Sequence, residues 1–264
     1  MVRWGNPSVR GWTRRAQNGS LGVETTPATY GGVVRHTILL CLVTMIAAVA
    51  VEASLWFAIL RPEVAFGNME YWMLGLIGLG VISVVWIVMH IIILFAPTTA
   101  KILGPACCLV QGLFLGVAAF VFDIFVPGIS LAALLGTGVV FLFVLFLYKG
   151  LGVRIKSSFW RVMLIFFVSY LVAQLAMVIA CLLLDDWAMF WIEAISSLLC
   201  IGMACFTIIW DIQNVDTLVQ AGVDKIYEWP VAYALTTSLV YLYVQILRVL
   251  FRVFALISSV RGKK

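Results

Sequence analysis

"SLVYLYVQILRVLFRV", residues 238–253, reads as an apolar helix with an amide, Gln245, near its middle and with Arg248 and Arg252 toward its end. Runs of this kind decide the fold. The chain has 264 residues, of which 64% are hydrophobic and 11% charged, whereas soluble domains carry about 25% charged residues. Its mean hydropathy is +1.13. No soluble core hides that much apolar surface, so the solvent this composition fits is a bilayer. A helix needs roughly 20 apolar residues to cross one. The expected fold class is an all-α integral membrane protein.

Working outward from that stretch, seven apolar runs are long enough to cross: 36–60, 71–95, 104–126, 129–148, 159–184, 187–210 and 229–255. Pro, Gly or charge separates them, at Arg61-Pro62-Glu63, Ala96-Pro97, Pro127-Gly128, Lys149-Gly150 and Asp185-Asp186. Trp72, Trp160, Trp187, Trp191 and Trp229 stand near the proposed ends, where interfacial aromatics collect. The chain then divides into a polar basic amino-terminal tail (1–33), a transmembrane domain (34–257) and a short basic tail (258–264). The tail lacks the early apolar core of a secretory signal. Lys and Arg concentrate on the amino-terminal side, in Arg3, Arg10, Arg14, Arg15, Arg35, Lys101, Lys149, Arg154, Lys156, Arg161 and Lys225. By the positive-inside rule this predicts a cytoplasmic amino terminus. Seven spans put the basic carboxyl terminus on the other side, against the same rule.

Polar groups at membrane depth are costly and are functional candidates by default. Here they are Glu52, His90, Asp123, Glu193 and Asp211, with the amides Gln111, Gln174 and Gln245. Asp123, close to Pro127, reads as a solvated interfacial residue, and His90 as a hydrogen-bonded packing residue. Glu193 lies near enough to Asp186 for local water to satisfy it, and Glu52 lies about two turns from Arg61. Asp211 closes an apolar run and opens "DIQNVD", which leaves it between a helix-end residue and a functional one. The cysteines (Cys41, Cys107, Cys108, Cys181, Cys200 and Cys205) all fall inside apolar runs and read as small buried hydrophobes. No HExxH, GxSxG, phosphate loop or Cys/His metal spacing is present. Neither an enzyme, a cofactor nor a nucleic-acid partner is expected.

"WDIQNVDTLVQAG" (210–222) followed by "YEWPVAYALTTSLVYLYVQILRVL" (227–250) resembles the last two spans of Bax inhibitor-1-like membrane proteins, in their longer bacterial branch. "GNPSVR" (5–10), "TYGGVVRHT" (29–37) and "PTTAKILGPACCLVQGLFLG" (97–116) resemble the start, the first span and the third span of that branch, so the resemblance covers nearly the whole chain. It implies seven helices, six surrounding a central carboxyl-terminal one, and a pH-sensitive calcium leak. In the founding group, a hydrogen-bonded pair of aspartates on the sixth and seventh spans acts as latch and proton sensor. Carried over by position, the first aspartate is Asp211 and the second position is Gln245. Gln111 stands where an acid is expected in "EGLFLG". An amide keeps hydrogen-bonding capacity but does not titrate.

The resemblance therefore implies a cation leak, calcium being the transported ion, through a bacterial cytoplasmic membrane. Its altered sensor is Asp211 with Gln245 beside it, and Glu52, Glu193, Gln111 and Arg248 complete the candidate site. Gln245 is expected to hold Asp211, or a backbone group near it, by a hydrogen bond. The second reading is a non-conducting membrane interaction protein that regulates a membrane protease or stress-response complex. Besides the lipid bilayer, calcium ions and such a membrane protein are the partners these readings imply.

Overall fold

The structure, a computed structural model, describes residues 26–60, 69–152, 154–155, 169, 172 and 186–261. The described chain is built of α-helices. They are α1 (Tyr30–Leu60), α2 (Met69–Phe95), α3 (Ala100–Phe125), α4 (Ile129–Gly150), α5 (Asp186–Gln220) and α6 (Glu228–Arg261), with short 3-10 turns at Pro97–Thr99 and Lys225–Tyr227. Hydrocarbon offers no partner to an exposed peptide group, so a spanning segment must satisfy its hydrogen bonds internally, as a helix does. Five helices are long and apolar enough to cross, namely α1, α3, α4, α5 and α6, and the described apolar part of α2 is Gly80–Phe95. The protein is an integral membrane protein. The run at 159–184 lies outside the described residues.

Several helix limits differ from the sequence reading. The first helix starts at Tyr30, ahead of the run at 36 and inside the segment read as tail, and α3 starts at Ala100, ahead of the run at 104. The last helix runs on to Arg261, past the tail boundary at 258. Similarly, α5 does not stop at Trp210 but continues through "DIQNVDTLVQ" to Gln220. Gln213, Asn214 and Thr217 in that extension are buried. Its polarity looks like a loop in the sequence, yet it serves to line an interior.

The chain divides into two compact units. One contains α1, α2, α3 and residues 222–237, which include the base of α6. In it, α1 and α3 approach most closely through a stripe of small residues at helical spacing. Gly104, Cys108, Gly112 and Gly116 are all buried on α3. A methyl group added at Gly112 would overlap the Thr44 carbonyl and the Ala47 side chain, and one at Gly116 would overlap the Ala48 carbonyl. Small residues at four-residue spacing are the usual means of bringing membrane helices together, because lipid supplies no hydrophobic drive between them. Thr37 and Thr44 return their hydroxyls to the carbonyls of Val33 and Leu40 in their own helix, and the Cys108 thiol of α3 lies within hydrogen-bonding reach of Thr44. Ile38, Leu42, Ile46 and Val49 on α1 are exposed, which places an apolar surface against lipid.

The same unit ties the start of the chain to the base of α6. Ala28 N–H donates to the Val223 carbonyl (2.8 Å) and Lys225 N–H to the Thr26 carbonyl (3.0 Å), an antiparallel bridge centred on Pro27 and Asp224. The first and last helices therefore begin at one end of this unit, with the Pro97–Thr99 turn packed beside Lys225–Tyr227.

The second unit contains most of α4, all of α5, and α6 from Ser238. Tyr148 at the end of α4 donates its hydroxyl to Asp216 of α5. Gln213 pairs both amide atoms with the backbone of Ile155, at 3.0 Å each. Gly136 leaves room for Ile246 of α6.

The glycine stripe yields a direct test. Gly112→Val is expected to lower the Tm of the purified protein by an amount equivalent to about 1–3 kcal/mol of overpacking. Gly80→Ala, where nothing lies within contact of the added methyl, is expected to leave Tm unchanged or higher. Equal Tm values for Gly112→Val and the parent would contradict the close α1–α3 contact.

Candidate functional site

Asp211 stands on α5 three residues beyond the four-residue series that buries Cys200, Ala204 and Ile208, on the same helix face. One turn beyond Ile208 that face carries a carboxylate. Asp211 is 8% exposed, and it accepts a 2.6 Å hydrogen bond from the Ser238 hydroxyl on α6. Asp211 is thus an interior residue of α5 and not a helix-end residue.

Its partner corrects the sequence expectation. Ser238, not Gln245, holds Asp211. Gln245 lies two turns further along α6, about 10 Å at helical rise. It is 2% exposed, and its Oε1 has no hydrogen-bond partner among the described residues. The position at which relatives are expected to carry an acid is therefore an interior one, but it does not meet Asp211. Ser238 was legible only as a hydroxyl in an apolar run, a signal too common to single out.

The other candidates scatter. Arg248 is exposed. Glu193 lies within α5, but its side chain is outside the described residues. Glu52 comes together with Asp123, their carboxyls within hydrogen-bonding reach, a juxtaposition that the sequence reading did not foresee. Asp123 is not a solvated interfacial group. It is 7% exposed and accepts from the Ser130 backbone N–H (3.0 Å) and hydroxyl (2.7 Å). The turn at Val126–Gly128, with Gly128 at φ +83°, folds the chain back so that a carboxylate at the end of α3 caps the start of α4. His90 has the packing role expected of it, with Nδ1 2.8 Å from the Tyr233 hydroxyl.

Sequence reasoning passed over Glu228 except as part of a motif. It has no exposed surface. Its Oε1 accepts from Thr29 N–H (2.8 Å) and the Thr29 hydroxyl (3.3 Å), and its Oε2 lies 3.4 Å from His36 Nδ1. The His36 ring lies against the Trp229 ring, with centroids 4.1 Å apart. Gly32 is needed here because the Glu228 carboxyl occupies the space that a Cβ would take. Among the described residues no set of three His, Cys, Asp or Glu side chains could hold a metal ion. Cys41, Cys107, Cys108, Cys200 and Cys205 are free; Cys107, Cys108 and Cys200 are buried as expected, whereas Cys41 and Cys205 are half-buried.

Apolar helices of spanning length with hydrogen-bonded carboxylates buried between them define a polytopic helical membrane protein. The chain belongs to the Bax inhibitor 1 like family, whose sequence model matches residues 6–254. No curated protein matches the chain.

The pairing of Asp211 separates two variants. Ser238→Ala removes the donor to a buried carboxylate and is expected to cost about 1–3 kcal/mol, read as a lower Tm. Gln245→Leu removes an oxygen that has no partner and is expected to be neutral or stabilising. A Gln245→Leu loss as large as that of Ser238→Ala would show that Gln245 holds Asp211 after all.

Proposed function

We propose that the protein is a pH-modulated cation leak, with calcium as the permeating ion, and that Asp211 is its titrating group. The observation that carries this reading is a carboxylate buried at membrane depth with a hydroxyl, not a cation, as its partner. A carboxylate at membrane depth is costly and is a functional candidate by default. When ionised it accepts from Ser238. When protonated it becomes a donor, and the α5–α6 contact must rearrange to use that proton. Carboxylate and carbonyl oxygens are the ligands that calcium prefers. Family membership supports the class of protein, while the amide at Gln245 leaves the sensor with one carboxylate where relatives are expected to carry two.

The topology that goes with this reading has seven spans. Since α1 and α6 start at one end of the same unit, an even number of crossings must separate those two starts. The described helices before α6 are five, so seven spans need one further crossing; the run at 159–184, read as a span in the sequence, lies outside the described residues. Orientation follows from charge. At the end where α1 and α6 begin stand Arg35, Lys101 and Lys225, all exposed, whereas Glu52 and Asp123 lie toward the other end of that unit. The positive-inside rule assigns the basic end to the cytoplasm of a bacterial cell.

Calcium flux into liposomes containing the purified protein, followed between about pH 6 and 8, tests the proposal. The expected result is flux above that of empty vesicles which changes with pH, and an Asp211→Asn variant whose flux no longer does. Absence of flux at every pH would overturn the leak and favour a non-conducting protein that regulates a membrane protease or stress complex. Pull-down from native membranes would then be the decisive measurement.

A further inference from the structure

The unit containing α1–α3 has a second polar feature, separate from the carboxylates. His90 of α2 and Tyr233 of α6 share a 2.8 Å hydrogen bond, and the Cys107 thiol of α3 lies within hydrogen-bonding reach of the same Tyr233 hydroxyl. Three helices thus meet at one oxygen. One turn away on each helix is another polar side chain, and residues four apart share a face. On α2 it is Trp86, whose ring lies 5.5 Å from that of His90. On α3 it is Gln111, and on α6 it is Thr237, whose hydroxyl lies near that of Tyr233.

All three steps lead in the same direction. The turn after α2 and the start of α3 lie beside the base of α6. Trp86 precedes His90 on a helix running toward that end, whereas Gln111 and Thr237 follow Cys107 and Tyr233 on helices running away from it. At about 1.5 Å per residue, the three side chains lie about 13–17 Å from the basic end, close to the middle of an apolar core about 30 Å thick. Trp86 Nε1, Gln111 Oε1 and Thr237 Oγ1 are buried, and none has a hydrogen-bond partner among the described residues.

Three buried polar atoms at similar depth, each one turn from the His90–Tyr233–Cys107 meeting point and without a partner among the described residues, would be expensive in hydrocarbon. Their chemistry is complementary to a single small ligand: the indole N–H donates, the amide oxygen accepts, and the hydroxyl does either. We propose that this layer, Trp86, Gln111 and Thr237 beneath the His90–Tyr233 pair, is a site for ordered water at mid-membrane. Buried water typically makes about three hydrogen bonds to such groups. Water held there extends the His90–Tyr233 hydrogen bond into a polar chain that reaches from the basic half of the unit to its centre. This assignment goes beyond the leak reading and does not depend on it, because a non-conducting protein would need the same water.

Radiolytic footprinting of the full-length protein in lipid nanodiscs, with 18O-water as the label source, tests the site. Hydroxyl radicals made from a bound water oxidise the side chains around it even when they are buried. Tyr233 is 3% exposed, and Tyr243 at 8% serves as a buried tyrosine elsewhere in the chain. The expected result is that Tyr233 oxidises several-fold faster than Tyr243, and that Gln111→Leu/Thr237→Val brings it down to the Tyr243 rate. A wild-type Tyr233 that oxidises no faster than Tyr243 would overturn the proposal, even if the double variant does not fold. An unchanged Tyr233 rate in a folded double variant would overturn it equally.

Discussion

A glutamate with no exposed surface ties the segment ahead of α1 to the start of α6. Glu228 opens α6 and receives both polar hydrogens of Thr29, just ahead of α1, while its second oxygen faces His36. Removing an ionised carboxylate from water costs several kcal/mol unless donors replace the lost hydration. Among the described residues the segment 26–36 supplies them. The strap at Thr26–Thr29, the bridge to Val223–Lys225 and the missing side chain at Gly32 all serve that one requirement. From it follows the shared end at which α1 and α6 start. Without the clasp, the segment ahead of α1 would be joined to the rest of the unit only by two backbone hydrogen bonds.

The charges and hydroxyls elsewhere obey the same rule on a smaller scale. Asp123 answers the free N–H groups at the start of α4, Asp211 is answered by Ser238, and Asp216 by Tyr148. Each carboxylate is tied to a donor from a different segment, so the polar residues of this apolar chain bind segments together. The apolar residues do the complementary work of facing lipid, and small ones such as Gly112 and Gly116 let backbones touch.

Much of this architecture can be read from the sequence because a bilayer imposes a simple length rule. The apolar runs that fall on described residues form helices, and family membership agrees with motifs spread over the chain. The errors share a cause. "DIQNVDTLVQ" is polar, so it reads as a loop, yet its polar side chains are buried within α5. Asp123 reads as solvated from its nearness to Pro127, whereas the turn brings Ser130 back onto it. The Asp211–Gln245 pairing was carried over by position, and a two-turn offset along α6 gave the contact to Ser238 instead. Glu228 stood in plain view beside an aromatic, but burial of a glutamate depends on donors about two hundred residues away in sequence, which no local pattern reports.

The clasp is the claim on which the account rests most heavily. Pro27 and Asp224 face each other across the antiparallel bridge, where Cα atoms lie about 4.5–5.5 Å apart, within the range of a disulfide. The direct measurement is oxidative cross-linking of Pro27→Cys with Asp224→Cys in membranes, in a chain whose native cysteines are replaced by Ala. The account predicts an efficient cross-link that fails when Glu228→Ala is added. A cross-link that persists undiminished without Glu228, or one that never forms with Glu228 present, would contradict it.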